Sequence, residues 1–155
     1  FNPTKMSIVK HPITVITTFL WIGFVCAISF MEAWLKFRAE GITLPLGLGI
    51  GRLVFSALNK VEWVLAVAII LNQLFVYNNI RAKKLISFFI PLALLITQTI
   101  WLLPALDQRA ELIIRGQLLA PSKLHFYYIG MEVIKVSCLF IFGISLFTLK
   151  TKDEQ

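Results

Sequence analysis

An apolar stretch near the beginning of the chain, residues 13–35, reads ITVITTFLWIGFVCAISFMEAWL and carries one charged side chain, Glu32. An α-helix rises about 1.5 Å per residue, so this stretch is long enough to cross a hydrocarbon core of roughly 30 Å. The apolar run of a cleaved signal peptide is shorter, roughly 7 to 15 residues. We therefore predict a transmembrane helix that is retained in the protein.

The composition of the whole chain is typical of a membrane protein. Of its 155 residues, 58% are hydrophobic and 15% are charged, and the mean hydropathy is +0.82. Soluble domains carry about 25% charged residues. Many of the basic residues behind the net charge of +7 flank apolar stretches, where they anchor helices and contact lipid headgroups. We therefore predict a lipid bilayer as the partner and no binding of nucleic acid.

Three further stretches, residues 61–77, 85–103 and 126–149, are also apolar and long enough to cross a bilayer. Together with residues 13–35 they predict an all-α fold, in which residues 1–155 form one integral membrane domain built as a four-helix bundle. Aromatic residues that favour the membrane interface lie near the ends of these spans, on one side of the predicted bundle: Trp34, Trp63, Trp101, Tyr127 and Tyr128.

The stretch between the first two spans, residues 42–59, reads ITLPLGLGIGRLVFSALN. It is apolar, but Pro45, Gly47, Gly49 and Gly51 disfavour a regular helix. Irregular backbone at membrane depth survives only where protein or water covers it, so we predict a turn, or a re-entrant or interfacial segment, that leads into helix two. The motif GLGIGRL lacks the strand and the Lys-Ser/Thr of a phosphate-binding loop, which favours close packing over nucleotide binding.

The orientation in the membrane is predicted from the basic residues, which are equally numerous on the two sides. With a cytoplasmic N terminus, the inner set is Lys5, Lys10, Arg81, Lys83, Lys84, Lys150 and Lys152, and the outer set is Lys36, Arg38, Arg52, Lys60, Arg109, Arg115 and Lys123. The sequence RAKK, residues 81–84, packs its bases into a very short turn, whereas the other loops also carry acids. This density favours a protein of the cell (inner) membrane with both termini in the cytoplasm.

The fourth span carries ionisable side chains where hydrocarbon surrounds the helix. At about 100° per residue, His125, Tyr128, Glu132 and Lys135 share one helix face of about 80°. Glu32 lies near the end of the first span, and because helices one and four are antiparallel, we expect Glu32 and Glu132 in the same leaflet. Charge within a membrane is costly, so we predict that Glu132 is paired with Lys135, with His125 or with a base of another helix.

These positions predict an outer-leaflet pocket of ionisable side chains. Such a pocket would bind or pass a cation, a proton or a small polar ligand. The predicted ligand-binding residues are Glu32, Arg52, Glu62, Arg109, His125, Tyr128, Glu132 and Lys135.

An alternative hypothesis is a non-catalytic accessory or structural subunit of a membrane protein complex. The polar end would then dock a membrane protein partner or a second copy of the chain, and the charged residues would neutralise one another. A buried, convergent pocket favours ligand binding, whereas charges that are paired on a flat surface favour the accessory subunit.

Metal and cofactor motifs are weak in this sequence. There is no HxxxH or CxxC, and His11 and His125 lie on opposite sides of the predicted bundle, which disfavours a bis-histidine haem and leaves any cofactor unidentified. The candidate metal ligands are His125, Glu132, Met131 and Glu32, with copper as one interpretation of the nearby sulfur atoms. The spacing predicts no Ser-His-Asp or Cys-His constellation, so an enzyme is the less favoured hypothesis.

Three short motifs resemble the transmembrane protein 205-like family of small four-helix membrane proteins. They are FRAEG with a proline-glycine turn after helix one, WLLPALDQRAEL after helix three, and LHFYYIG at the start of helix four. The family's motif residues correspond to Trp101, Pro104, Arg109 and His125. The resemblance implies a four-helix bundle with a polar outer end and an association with metal or drug tolerance in some relatives, and it implies no established reaction.

Overall fold

The computed structural model describes residues 6–9, 11–76 and 82–150. Four helices in these ranges are long and apolar enough to cross a membrane. They are α1 (Pro12–Arg38), α2 (Leu44–Val76), α3 (residues 82–114) and α4 (Leu124–Ser145). The prediction of an all-α, integral membrane four-helix bundle is confirmed.

Two of the helices change their winding along their length. In α1, the α-helix Pro12–Val25 is followed by a π-helical segment, Cys26–Glu32, then by Ala33–Leu35 and a final 3-10 turn, Lys36–Arg38. In α3, the α-helix Ala82–Thr97 continues through a π-helical segment, Gln98–Leu102, into the α-helix Leu103–Ile114.

Pro104 gives a reason for the change in α3, because a proline ring clashes with the carbonyl four residues earlier in a regular α-helix. The wider π turn that precedes it relieves this clash, and such turns also redirect side chains and recur at functional sites. The π-helical segments bury Ser29 in α1 and Gln98 in α3.

Helix α2 corrects one expectation. The glycine-rich stretch predicted as a turn, re-entrant or interfacial segment is regular α-helix from Leu44 onward. Thr43 caps its start, because the Leu46 amide donates to Thr43 Oγ1 over 3.4 Å. Pro45 lies in the first turn, where its missing N–H costs no hydrogen bond.

Close packing explains the glycine at position 47. A Cβ atom there would overlap the Phe37 ring, so the end of α1 packs directly on the α2 backbone. The sharp turn is confined to the residues before α2, where Gly41 has a φ of +79°, a conformation that favours glycine. At about 1.5 Å per residue, α2 is close to 50 Å long, so it extends beyond the hydrocarbon core.

The core lies along the bundle axis, where α1 packs against α2 and α4, and α3 packs against α4. Its fully buried side chains include Trp21, Leu58, Ile69, Leu95 and Leu139. Apolar side chains also cover the outer surface and contact the acyl chains of lipid: Val64, Phe75, Ile100 and Phe126 are among the most exposed.

Two short strands join the ends of the described chain. Strand β1 (Met6–Val9) pairs antiparallel with β2 (Phe147–Lys150), with Met6 opposite Lys150. This ribbon was not predicted from the sequence, and it places both ends of the bundle's chain on the same side. Among the basic residues used for the orientation, Lys5, Lys10, Arg81 and Lys152 lie outside the described residues.

Candidate functional site

An ionic cluster lies inside the bundle and draws one polar side chain or more from each helix. We call it the buried cluster; its members are Trp21 of α1, Glu62 of α2, Gln98 of α3, and Glu132 and Lys135 of α4. Glu132 and Lys135 are 0% exposed, and Glu62 is 2% exposed. These charged side chains are therefore shielded from water almost completely, and their hydrogen-bond partners are protein groups.

The ammonium group of Lys135 is the centre of the buried cluster. Its Nζ donates to Gln98 Oε1 at 2.5 Å, to Glu62 Oε1 at 2.6 Å and to Glu132 Oε1 at 3.1 Å. An ammonium has three N–H donors, so all of them have acceptors. The prediction that Glu132 is paired with Lys135 is confirmed.

The neutral members hold the carboxylates in place. Trp21 Nε1 donates to Glu62 Oε1 at 2.8 Å, and Gln98 Nε2 donates to Glu132 Oε1 at 2.8 Å. The other oxygen of Glu132, Oε2, is buried and has no hydrogen-bond partner among the described residues. No role was predicted for Trp21 or Gln98 from the sequence, although Gln98 is a polar residue within a largely apolar span.

A second feature is a cavity of about 670 Å³ at the end of the bundle where α1 and α3 end and α2 and α4 begin. Its walls are largely apolar, and we refer to it as the end cavity. Its polar lining residues are Lys36, Arg52, Ser56, Asn59, Thr99, Asp107, Arg109, His125 and Tyr128. The polar end predicted for the bundle therefore contains a cavity that is large enough to hold a ligand.

Ion pairs fix most of the charged groups around the end cavity. Arg52 donates to both oxygens of Asp107, at 2.5 and 2.9 Å, and also to Glu111 at 3.4 Å. Lys36 pairs with Glu32 at 3.2 Å. These pairs join α2 to α3 and stabilise the last turn of α1, so both cations are largely neutralised.

Arg109 is different, because its guanidinium donates to the backbone carbonyl of Ala120 and forms no ion pair among the described residues. A guanidinium has several N–H donors, and one backbone contact leaves others available. Arg109 is therefore a cation in the wall of the end cavity that can accept an anionic group.

Tyr128 lies between the end cavity and the buried cluster. It lines the end cavity but is only 3% exposed, and its ring packs edge-on against Phe55 with centroids 5.1 Å apart. Its hydroxyl lies 3.4 Å from Ser29 Oγ, and it is within electrostatic range of Glu132. Tyr128 thus connects the two features through one side chain.

The structure divides the predicted site residues into these two places. Arg52, Arg109, His125 and Tyr128 line the end cavity, whereas Glu62, Glu132 and Lys135 belong to the buried cluster. Glu32 does not meet Glu132 as predicted, and it is paired with Lys36. The second glutamate of the buried cluster is Glu62 of α2.

The candidate metal ligands are not brought together. Met131 is 54% exposed on the surface of α4, whereas its neighbour Glu132 is buried. In the described ranges, no three His, Cys, Asp or Glu side chains are grouped closely enough to hold a metal ion. Five polar lining residues of the end cavity were not among the predicted ligand-binding residues, and of these Lys36 and Asp107 are charged whereas Ser56, Asn59 and Thr99 are not.

Comparison of the chain with family models, with curated proteins and with solved structures finds no match, so membership of the transmembrane protein 205-like family stays a proposal.

Proposed function

We propose that this membrane protein binds a small amphiphile that carries a carboxylate or phosphate group, and that the ligand occupies the end cavity. The volume of about 670 Å³ lies within the range of about 300 to 1,000 Å³ that is usual for small-molecule sites. Phe37, Phe55 and Leu103 provide apolar walls for a hydrocarbon portion. A site of this kind would be open to ligands that enter from the membrane interface.

The observation that carries this proposal is the position of Arg109. It is the cation of the end cavity that has no carboxylate partner among the described residues, and guanidinium groups bind carboxylate and phosphate in a bidentate manner. His125 lines the same cavity and adds an imidazole. Of the ligands considered from the sequence, a small polar molecule fits this lining better than a free cation does.

The accessory-subunit hypothesis predicts a different arrangement of the charged residues, in which they are paired on a flat surface. The pairs Arg52–Asp107 and Lys36–Glu32 would suit it, but they border a concave space. Convergence of Arg109 and His125 on that space favours ligand binding.

A thermal-shift experiment in a neutral detergent tests the proposal. We expect a medium-chain fatty acid and an alkyl phosphate of equal length to raise the melting temperature, because binding to the folded state stabilises it. Arg109→Ala should weaken this binding roughly tenfold to a hundredfold, since a charge-assisted contact contributes about 1.5 to 3 kcal/mol. The matched fatty alcohol and alkylammonium should give smaller shifts.

The control variant is Arg115→Ala, which removes an exposed arginine from the end of the same helix. It should keep the response of the unmodified protein. Equal shifts with all four amphiphiles, or an unchanged response in Arg109→Ala, would favour the accessory subunit instead.

For the orientation, we propose that both termini face the cytoplasm in the cell (inner) membrane. The density of basic residues in 81–84 supports this assignment. In a background with Cys26 and Cys138 replaced by Ala, a single cysteine at Gln117 should react with an impermeant thiol reagent in intact cells. A cysteine at Lys84 should react only after the cells are opened, and the reverse pattern would invert the orientation.

A further inference from the structure

We propose that the buried cluster is a proton-binding site in which Glu132 holds one proton while Glu62 and Lys135 form an ion pair. This inference does not depend on the ligand of the end cavity. It rests on the charges that each helix contributes and on Glu132 Oε2, a buried carboxyl oxygen with no hydrogen-bond partner among the described residues.

The charges around Glu132 do not balance if every group is ionised. Helix α4 contributes Lys135 and α2 contributes Glu62, which leaves one negative charge in excess once Glu132 is included. Within the described part of the chain, the other titratable groups that face Glu132 are Tyr128 of α4 and Cys26 of α1. Both are ordinarily neutral near neutral pH, and among the described side chains of α3 the one that contacts Glu132 is the uncharged Gln98. One bound proton therefore makes the cluster neutral.

The contacts indicate which carboxyl group carries the proton. Lys135 Nζ is 2.6 Å from Glu62 Oε1 but 3.1 Å from Glu132 Oε1, so the closer ion pair is with Glu62. Glu62 also accepts from Trp21 at 2.8 Å. Glu132 Oε2 has no donor among the described residues, and a bare carboxylate oxygen in a dry interior is costly.

The protonated form suits the remaining contacts of Glu132. Its Oε1 then acts as a carbonyl oxygen that accepts from Gln98 and Lys135, and Oε2 carries the proton. Tyr128 connects this carboxyl group with the end cavity, which gives the proton a nearby route to water.

Infrared spectroscopy of the purified protein measures this proton directly, through the C=O stretch of a protonated carboxyl group. At about pH 7, where exposed carboxyls are ionised, we expect one such band in the unmodified protein. Glu132→Gln should abolish it. Glu62→Gln should abolish it too, because Glu132 then becomes the counter-ion of Lys135 and ionises. Glu40→Gln, at an exposed residue, should leave the band unchanged.

Absence of the band in the unmodified protein would overturn the proposal without any variant. A band that survives in folded Glu132→Gln would place the proton elsewhere and would also overturn it. A band that persists in Glu62→Gln but disappears in Glu132→Gln would contradict the exchange of the ion pair between the two glutamates. Where a variant fails to fold, the pH titration of the band in the unmodified protein decides: a band lost only above neutral pH supports the proposal, and one formed only under acid conditions refutes it.

Discussion

Lys135→Met is expected to lower the free energy of unfolding by about 3 to 5 kcal/mol, the usual cost of removing one partner from a buried ion pair. The side chain is 0% exposed and donates to Glu62, Gln98 and Glu132. Methionine fills a similar volume, so the loss arises from the Glu62 carboxylate left without a cation and from the donor that Gln98 and Glu132 lose. Unfolding in mixed detergent micelles, followed by circular dichroism, measures this change.

Lys123→Met provides the matched control. It makes the same chemical change one residue before α4, at an exposed position. We expect it to change the free energy of unfolding by less than about 0.5 kcal/mol, as is usual for surface substitutions. Similar losses in the two lysine variants would show that Lys135 has no special structural role.

Trp21→Ala is expected to have a comparable effect, a loss of about 3 to 5 kcal/mol. Trp21 is 0% exposed in the centre of the bundle, so alanine leaves a cavity there, and it also removes the indole donor of Glu62. The matched control is Trp34→Ala in the same helix, where the ring is 49% exposed. We expect the control to lose much less stability, and an equal loss would contradict the central position of Trp21.

Trp21→Phe separates the two contributions. Phenylalanine keeps most of the apolar volume but cannot donate to Glu62, whose Oε1 still accepts from Lys135. Its cost should therefore be about 1.5 to 3 kcal/mol, the contribution of a hydrogen bond to a charged group. A loss as large as that of alanine would assign the whole effect to the missing indole donor and would contradict a contribution from packing.

Much of the fold was predictable because hydrocarbon imposes a simple requirement on the sequence. Long apolar runs define the four helices, and the i, i+3 spacing of Glu132 and Lys135 places both on one helix face. The glycine-rich part of α2 was predicted wrongly, since glycine and proline disfavour helices on average. In α2, Pro45 occupies the first turn and Gly47 accommodates the Phe37 ring, so neither residue interrupts the helix.

The division of the site could not be predicted, because it depends on contacts between helices. Sequence spacing placed Glu132 and His125 on one face, but whether Glu32 or Glu62 meets Glu132 depends on how α1 and α2 pack against α4. The π-helical segment at Gln98 adds a change of winding that Pro104 explains, but a proline alone does not predict such a turn, since Pro91 lies within regular α-helix. The role of Trp21 could not be predicted for a similar reason. In the sequence, a tryptophan in an apolar span looks the same whether it faces lipid or the core, and only the structure shows that its Nε1 donates to Glu62.

The most direct test of the buried cluster is the coupling free energy between Lys135 and Glu62, measured by a double-mutant cycle of unfolding free energies. Alone, Glu62→Gln should destabilise the protein, whereas in the Lys135→Met background it should be neutral or stabilising, because it then removes an unpaired buried charge. We therefore predict a favourable coupling of about 1 to 3 kcal/mol, and effects that add to within about 0.5 kcal/mol would contradict an ion pair between Lys135 and Glu62.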